Sequence, residues 1–271
     1  MLGGETITDI VSYIKKFLLL LIEYYGSNRM KLNDEKTTLL IMKEQFQRKI
    51  SITATNNSII YNTAQTKILG VYINSKNDMM SHLRIARSRS LLRAREIAPV
   101  LEQIKNIEDR KILVSSLCIS IANYCSPLLI GQCDSVKKYH HVTIMKLYRI
   151  IYNASCYMTR CEDICKSIKL PMPREAVAQS STIFLQKIHF TQSPPHLYKL
   201  FKYPVRSRLS LRPKINSIPR TERSKRSLIY AGLELLSRIP DNMMSLEPYF
   251  FKQSIRTMKD GILTTDERRN W

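Results

Sequence analysis

Two kinds of side chain in this 271-residue chain are spaced as if for chemistry: clustered cysteines and adjacent carboxylates. Cys156, Cys161 and Cys165 follow C-x4-C-x3-C, with His140 and His141 upstream. That raises zinc, whose usual ligands are thiolate and imidazole. The tight C-x2-C knuckle is missing and 156–165 reads as helical, so buried, reduced thiols are expected instead, here and at Cys118, Cys125 and Cys133. Adjacent acids stand at Asp34–Glu35, Glu108–Asp109, Glu162–Asp163 and Asp266–Glu267. The first pair lies in a polar turn, the second and third begin or sit on helices, and the fourth is in a polar tail. None has an apolar strand on both sides.

Composition narrows the function classes. Hydrophobic residues at 44% and charged residues at 24% are ordinary for a folded protein. The charge balance is not: 43 Lys+Arg against 22 Asp+Glu gives a formal +21. Such an excess repels itself unless a polyanion neutralises it, and nucleic acid is the commonest such partner. The N-terminus, MLGGETITDI, has no basic leader, so the expectation is a chain that is not secreted but intracellular, nuclear or cytoplasmic. FLLLLI at 17–22 is the strongest apolar block and is far short of the ~20 residues needed to span a bilayer, so no membrane partner is expected.

The elements follow from periodicity. Ile7, Ile10, Val11, Ile14, Leu18, Leu21 and Ile22 make one helical stripe, closed by the turn GSNR at 26–29. After a polar turn at Asn33–Asp34 comes a β-branched strand. ISITAT and SIIYN then read as strands joined at Asn56–Asn57, and TKILGVYIN as a third, with Gly70 marking a bulge or a close backbone approach. Beyond 76 the chain turns helical. Leu83, Ala86, Ser90, Ala94, Ile97, Leu101 and Ile104 form a narrow seam, flanked by arginines and broken at Pro99. Asn106 caps the next helix, whose stripe is Ile112, Leu113, Ser116, Leu117, Ser120 and Ile121. Helices are expected at 135–152, 157–168 and 173–189, a short one in SPPHLYKLF, and two more at about 224–238 and 245–260. Between Lys199 and Arg226, ten Lys/Arg face one acid, Glu222, a net of +9 that reads as an extended basic arm.

In this order the segments resemble the reverse transcriptases of non-LTR (LINE-type, jockey-like) retrotransposons. NRMKLNDEKTTLL resembles the polymerase motif D and ILGVYINSKND the primer-grip strand. SLCISIANYCSPLLIG looks like a thumb helix ending in Y-C-x-P, and VRSR, the basic loop and YFFKQSIRTM follow the family's tail pattern. The resemblance covers nearly the whole chain. It implies residues 1–75 as the end of a palm, 76–168 as a helical thumb, and 169–271 as a C-terminal helical region carrying the basic arm 199–226. Lys36 would be a general acid protonating the departing pyrophosphate. Leu69, Gly70, Val71 and Tyr72 would support the primer end. Arg84, Arg87, Arg93 and Arg95 would contact phosphates, as would Arg206, Arg208, Arg212, Lys214, Arg220, Arg223, Lys225 and Arg226 in the arm, with Tyr198, Phe201 and Tyr203 for stacking.

The chain departs from the family where it matters most. Two-metal catalysis needs carboxylates holding two Mg2+ ions about 3.5–4 Å apart. The family's aspartate motifs would precede residue 1, so no cofactor is expected in this chain and Mg2+ only in a complete polymerase. The resulting expectation is an α+β fold, mostly α-helical, with a small antiparallel sheet at 37–74 whose edges and apolar face are exposed. Its partner would be RNA or an RNA/DNA duplex, and the chain alone would be inactive, with a separate fingers–palm part as a second partner. A basic helical interaction protein and a decayed, non-functional element remain as alternatives.

Overall fold

The computed structural model describes residues 7–42, 51–53, 59–153, 159–200, 228–258 and 262. The turn at Asn56–Asn57, Cys156, Asp266–Glu267 and the arm from 201 to 226 lie outside them. The chain is mostly helical with two small sheets, and it divides into two compact units, Met1–Ser81 and His82–Trp271.

The first unit opens with α1, Ile7–Ser27, whose stripe from Ile10 to Ile22 is half-buried and which contacts strand β2 (Ser51–Thr53). Its end is satisfied locally. The Ser27 hydroxyl and the Asn28 amide both donate to the Tyr24 carbonyl at 2.8 Å, and Arg29 takes the left-handed conformation, φ 55°. β1 (Leu39–Leu40) and β2 flank β3 (Ile59–Thr63). β2 pairs with β3 antiparallel through Ile52↔Ile60, whereas β1 runs parallel to it, Leu39 opposite Asn62. The expected single antiparallel sheet is therefore two sheets, one of them mixed.

TKILGVYIN is also not one strand. It folds back on itself as β4 (Gln65–Ile68) and β5 (Val71–Asn74), with Ile68 opposite Val71. Leu69 and Gly70 form the two-residue turn, with φ of 48° and 87°. A turn with positive φ at both positions matches the natural twist of a hairpin and needs a glycine, so Gly70 marks a reversal and not a bulge.

The second unit holds two cores. α2 (Met80–Glu96) buries His82, Leu83, Ala86, Ser90 and Ala94, the first part of the expected seam. Pro99 sits at the start of α3 (Ala98–Gln103), which continues the seam with buried Leu101. The Asn106 side chain accepts the Glu108 N–H at 3.1 Å and starts α4 (Ile107–Val114). α4 passes through a π-helical turn, Ser115–Ile119, into the short α5 (Ser120–Ala122). Here the buried row is Arg110, Val114, Cys118, Ile119 and Ala122, while Ile112 is 66% exposed. The expected stripe through Ile112 and Leu117 is on the wrong face. The reason is Arg110, whose guanidinium donates to the carbonyls of Leu101 at 3.3 Å and Ile150 at 2.8 Å. A buried arginine opens the inward row.

α6 (Asp134–Tyr152) and α7 (Cys161–Ser167) complete the first core around Ile144, Leu147, Ile151, Ile164 and Ile168. α8 (Pro173–Thr191), started by its proline, carries the second core. It packs against α10 (Leu228–Ser237) and α12 (Pro248–Thr257), with Leu185, Leu236, Ile239, Phe251 and Ile255 between them. α9 is Pro195–Leu200, and the expected break at IPDN contains a short helix, α11 (Asp241–Met244).

Leu69 is 88% exposed in a left-handed backbone. Leu69→Asn should therefore stabilise the hairpin by about 0.5–1 kcal/mol, because asparagine tolerates that conformation. Slower amide exchange across residues 65–74 is the expected readout; faster exchange would mean that the leucine side chain supports the turn.

Candidate nucleic-acid interface

In the first unit the motif-D-like turn is a single 3-10 turn, Asp34–Lys36, held by the Asn33 side chain. Asn33 Oδ1 accepts the Lys36 N–H at 3.1 Å and its carbonyl accepts the Thr37 hydroxyl at 2.8 Å. Lys36 itself is exposed. Thr38 and Thr66 share a hydroxyl–hydroxyl hydrogen bond of 2.8 Å that ties the turn to β4. The four residues read as a primer grip do not present one surface. Leu69 is at the hairpin tip, Val71 is buried, and Tyr72 lies under the Lys67 ammonium, 5.8 Å from its ring centre. Beyond the hairpin, Asp78 starts α2: its Oδ1 accepts the Met80 N–H and the Asn74 side-chain amide, both at 3.0 Å.

α2 carries five arginines against one acid, Glu96, a net of +4. Burial of its small-residue seam leaves them on two flanks. Arg84, Arg87 and Arg95 are on one; Arg89 and Arg93 are on the other. They are not equivalent. The Arg87 guanidinium lies over the Tyr139 ring of α6 at 4.9 Å, a cation–π contact that holds it against the fold. Arg93 donates to Glu96 Oε2 at 2.7 Å. Arg84, Arg89 and Arg95 are exposed and have no ion-pair partner among the described residues. Arg84 and Arg95, eleven positions apart, stand about 16 Å apart along the helix axis. That is roughly the axial rise of five nucleotides of one strand.

The sequence marked Tyr124–Cys125 as the end of a helix but gave no role to the corner at Asn123–Cys125. His82 of α2 meets the Tyr124 carbonyl through Nε2 at 3.3 Å, and His140 of α6 meets Asn123 Oδ1 through Nε2 at 2.9 Å. Together they clamp the turn, in which Cys125 adopts φ 59°. Tyr124 is thereby left half-exposed, 6.2 Å from the His82 ring on the Arg89 side of α2, where an unpaired base could stack. The arm residues Arg206, Arg208, Arg212, Lys214, Arg220, Arg223, Lys225 and Arg226 fall outside the described residues, as do Phe201 and Tyr203. Tyr198 faces His189 of α8 at 6.5 Å.

Glu108 is engaged by Lys111 at 2.7 Å, Asp109 accepts from the Asn106 amide, and Glu162 and Asp163 lie exposed on the first turn of α7. Among the described residues no three acidic, histidine or cysteine side chains come together as metal ligands. Cys118 and Cys165 are buried, and Cys125, Cys133 and Cys161 are partly so. Burial pushes the Cys165 thiol up to about 12, and its sulfur lies 3.3 Å from that of Met172. No described helix is long and apolar enough to cross a membrane.

Comparison of the chain with protein-family models, with curated proteins and with solved structures finds no match.

The clamp has a pH signature. Burial holds His140 down at about 4, with the neighbouring His141 adding to the depression. The folded value lies below the unfolded one near 6.5, so as pH falls the unfolded chain takes up the proton first. Stability is full above about pH 6.5 and declines by about 3 kcal/mol toward pH 4. Urea midpoints measured between pH 7 and 4 should fall accordingly, and less steeply in His140→Gln. An equal slope in that variant would assign the loss to other groups.

Proposed function

We propose that this chain binds RNA or an RNA/DNA hybrid along α2 and the 199–226 arm, as the palm-end and thumb part of a reverse transcriptase of the non-LTR type. The observation that carries the reading is the trio Arg84, Arg89 and Arg95, exposed and without ion-pair partners among the described residues on a helix whose other face is buried. A rigid helix with spaced guanidiniums suits a duplex backbone, which is recognised by charge and shape and not by base identity. The formal charge of +21 and the order of the motif-like segments point the same way. Tyr124 adds a sequence-tolerant stacking surface beside the Arg89 flank.

In this reading the chain grips template and primer, and the carboxylates for phosphoryl transfer come from a fingers–palm part of the polymerase. Lys36, on its exposed turn, would then meet the leaving pyrophosphate. The chain alone extends no primer.

Fluorescence anisotropy with an RNA/DNA hybrid tests the reading. The double variant R84A/R95A should weaken binding at low salt and flatten the plot of log affinity against log salt by about two, one per lost phosphate contact. A salt-independent affinity, or an unchanged slope in the variant, would refute the helix as a phosphate reader. Primer extension by the chain alone would refute the division of labour.

A further inference from the structure

The second unit contains an open cavity of about 860 Å³, within the ~300–1,000 Å³ typical of small-molecule sites. Neither the arginine flanks of α2 nor the clamped Tyr124 contributes to it. Its walls come from the π-helical turn, the loop between α7 and α8, the first turns of α8, and the end of α12. Three cations reach it from three segments: Lys169, Arg174 and Arg256. Among the described residues they face one acid, Glu175, whose Oε1 already accepts the buried Ile262 N–H at 2.7 Å. The remaining lining splits into two parts. Ile119, Met172, Ile183 and Met258 are apolar, while Ser115 and Gln179 are neutral hydrogen-bonding groups; Asn123 Oδ1 is engaged by His140 and the Ser180 hydroxyl by Val177 and Ser126.

We propose that this cavity binds a nucleoside monophosphate, with the phosphate at the Lys169–Arg174–Arg256 cations and the base against the methionine and isoleucine side chains. Three cations against one carboxylate among the described residues suit a dianion better than a monoanion. The planar guanidinium forks match phosphate oxygens, giving charge-assisted bonds about twice as strong as neutral ones. The apolar wall requires a body that phosphate or a sugar alone does not supply, and the neutral polar groups suit ribose hydroxyls and a base edge. Ser115 and Ile119, the first and last residues of the π-helical turn, both line the cavity. Such turns, rare in helices, recur at functional sites. The nucleotide could be free or be the unpaired terminus of a strand, since both present the same chemistry. The proposal goes beyond hybrid binding by α2 and does not require it.

The test uses the full chain with 13C-methyl methionine, because Met172 and Met258 line the cavity and report on it directly. Titration with AMP should shift those two methyl resonances. Adenosine alone and inorganic phosphate alone should shift them far less. Arg256 and Lys169 are exposed, so they can be changed with little risk to folding. R256A should weaken AMP binding about tenfold, the usual loss of one charge-assisted bond. K169G keeps the left-handed backbone at that position (φ 52°) and should weaken it in the same direction. A short adenylate oligonucleotide shifting the same two methyls identifies a strand end as the source; a response to AMP only identifies the free nucleotide. R84A/R95A should leave the AMP titration unchanged, which separates this site from hybrid binding. Unmoved Met172 and Met258 resonances, an equal response to phosphate alone, or full AMP affinity in both R256A and K169G would overturn the proposal.

Discussion

Burial of the small-residue seam of α2 decides which of its side chains face outward. Ala86, Ser90 and Ala94 carry almost no side-chain bulk, and all three are buried. With that row turned inward, the arginines at the adjoining positions emerge on both flanks of the helix. The same seam sets where the polypeptide turns. Pro99 breaks the helix one turn past Ala94, and the buried Leu101 then continues the contact on α3. Arg110 closes this arrangement by donating to the carbonyls of Leu101 and Ile150, which joins the end of α3 to α6. A buried guanidinium is costly unless its donors are met. Here two are met by backbone carbonyls near helix ends, each of which also accepts one backbone N–H, from Ile104 and Asn153, while the buried Nε–H is left unmet.

This economy explains how a chain of such high charge packs at all. Among its described residues the second unit buries Arg110 and Arg174, yet several of its histidines stay neutral. Desolvation lowers His82, His140, His141 and His189, and nearby guanidiniums lower two of them further: Arg89 acts on His82, and Arg174 and Arg149 act on His141. In a cationic fold a neutral imidazole is the cheaper polar group to bury. It can serve a carbonyl or an amide oxygen without adding charge. His82 and His140 do this at the Tyr124 corner, where a lysine would add repulsion.

Much of the helical part was legible because its signals are local. The 83–101 seam, the break at Pro99 and the cap at Asn106 depend on residues within a turn or two of each other. The misreadings came from long-range partners or from backbone geometry. Ile112 and Leu117 look like core, but Arg110 finds carbonyls nine and forty positions away, which no periodicity announces. Gly70 was visible as an anomaly, yet a bulge and a two-residue reversal share the same glycine. The pairing of Ile68 with Val71 decides between them. Of the interface, the arginines were legible and their inequality was not. Arg87 and Arg93 are held by Tyr139 and Glu96, and a ring on another helix cannot be read from spacing. Tyr124 was passed over because its exposure follows from two histidines that sit 42 positions before and 16 after it.

The first unit is built on a smaller margin. Two-stranded sheets are marginal in water without a covering partner, and β4–β5 buries one valine, its remaining support including the Thr38–Thr66 contact and the Asn74 bonds to Asp78 and Ser81. The three-stranded sheet buries Ile52 and Ile60 on one face but leaves Ile59 and Tyr61 more than half exposed on the other. α1 likewise exposes Phe17, Leu19, Leu20 and Tyr24. Strand edges and apolar surface of this kind invite further pairing. The second unit, by contrast, seals two cores with residues such as Leu147, Ile151, Leu236 and Phe251 that are completely buried. Burial of this kind is roughly proportional to stabilisation, so the two units should not open together. The arginine helix spans the boundary between the two units in sequence, Met80 and Ser81 in one and the rest in the other, and its buried residues from His82 to Ala94 lie in the better-packed unit. The arginine flanks anchored there keep their geometry even when the small sheets loosen.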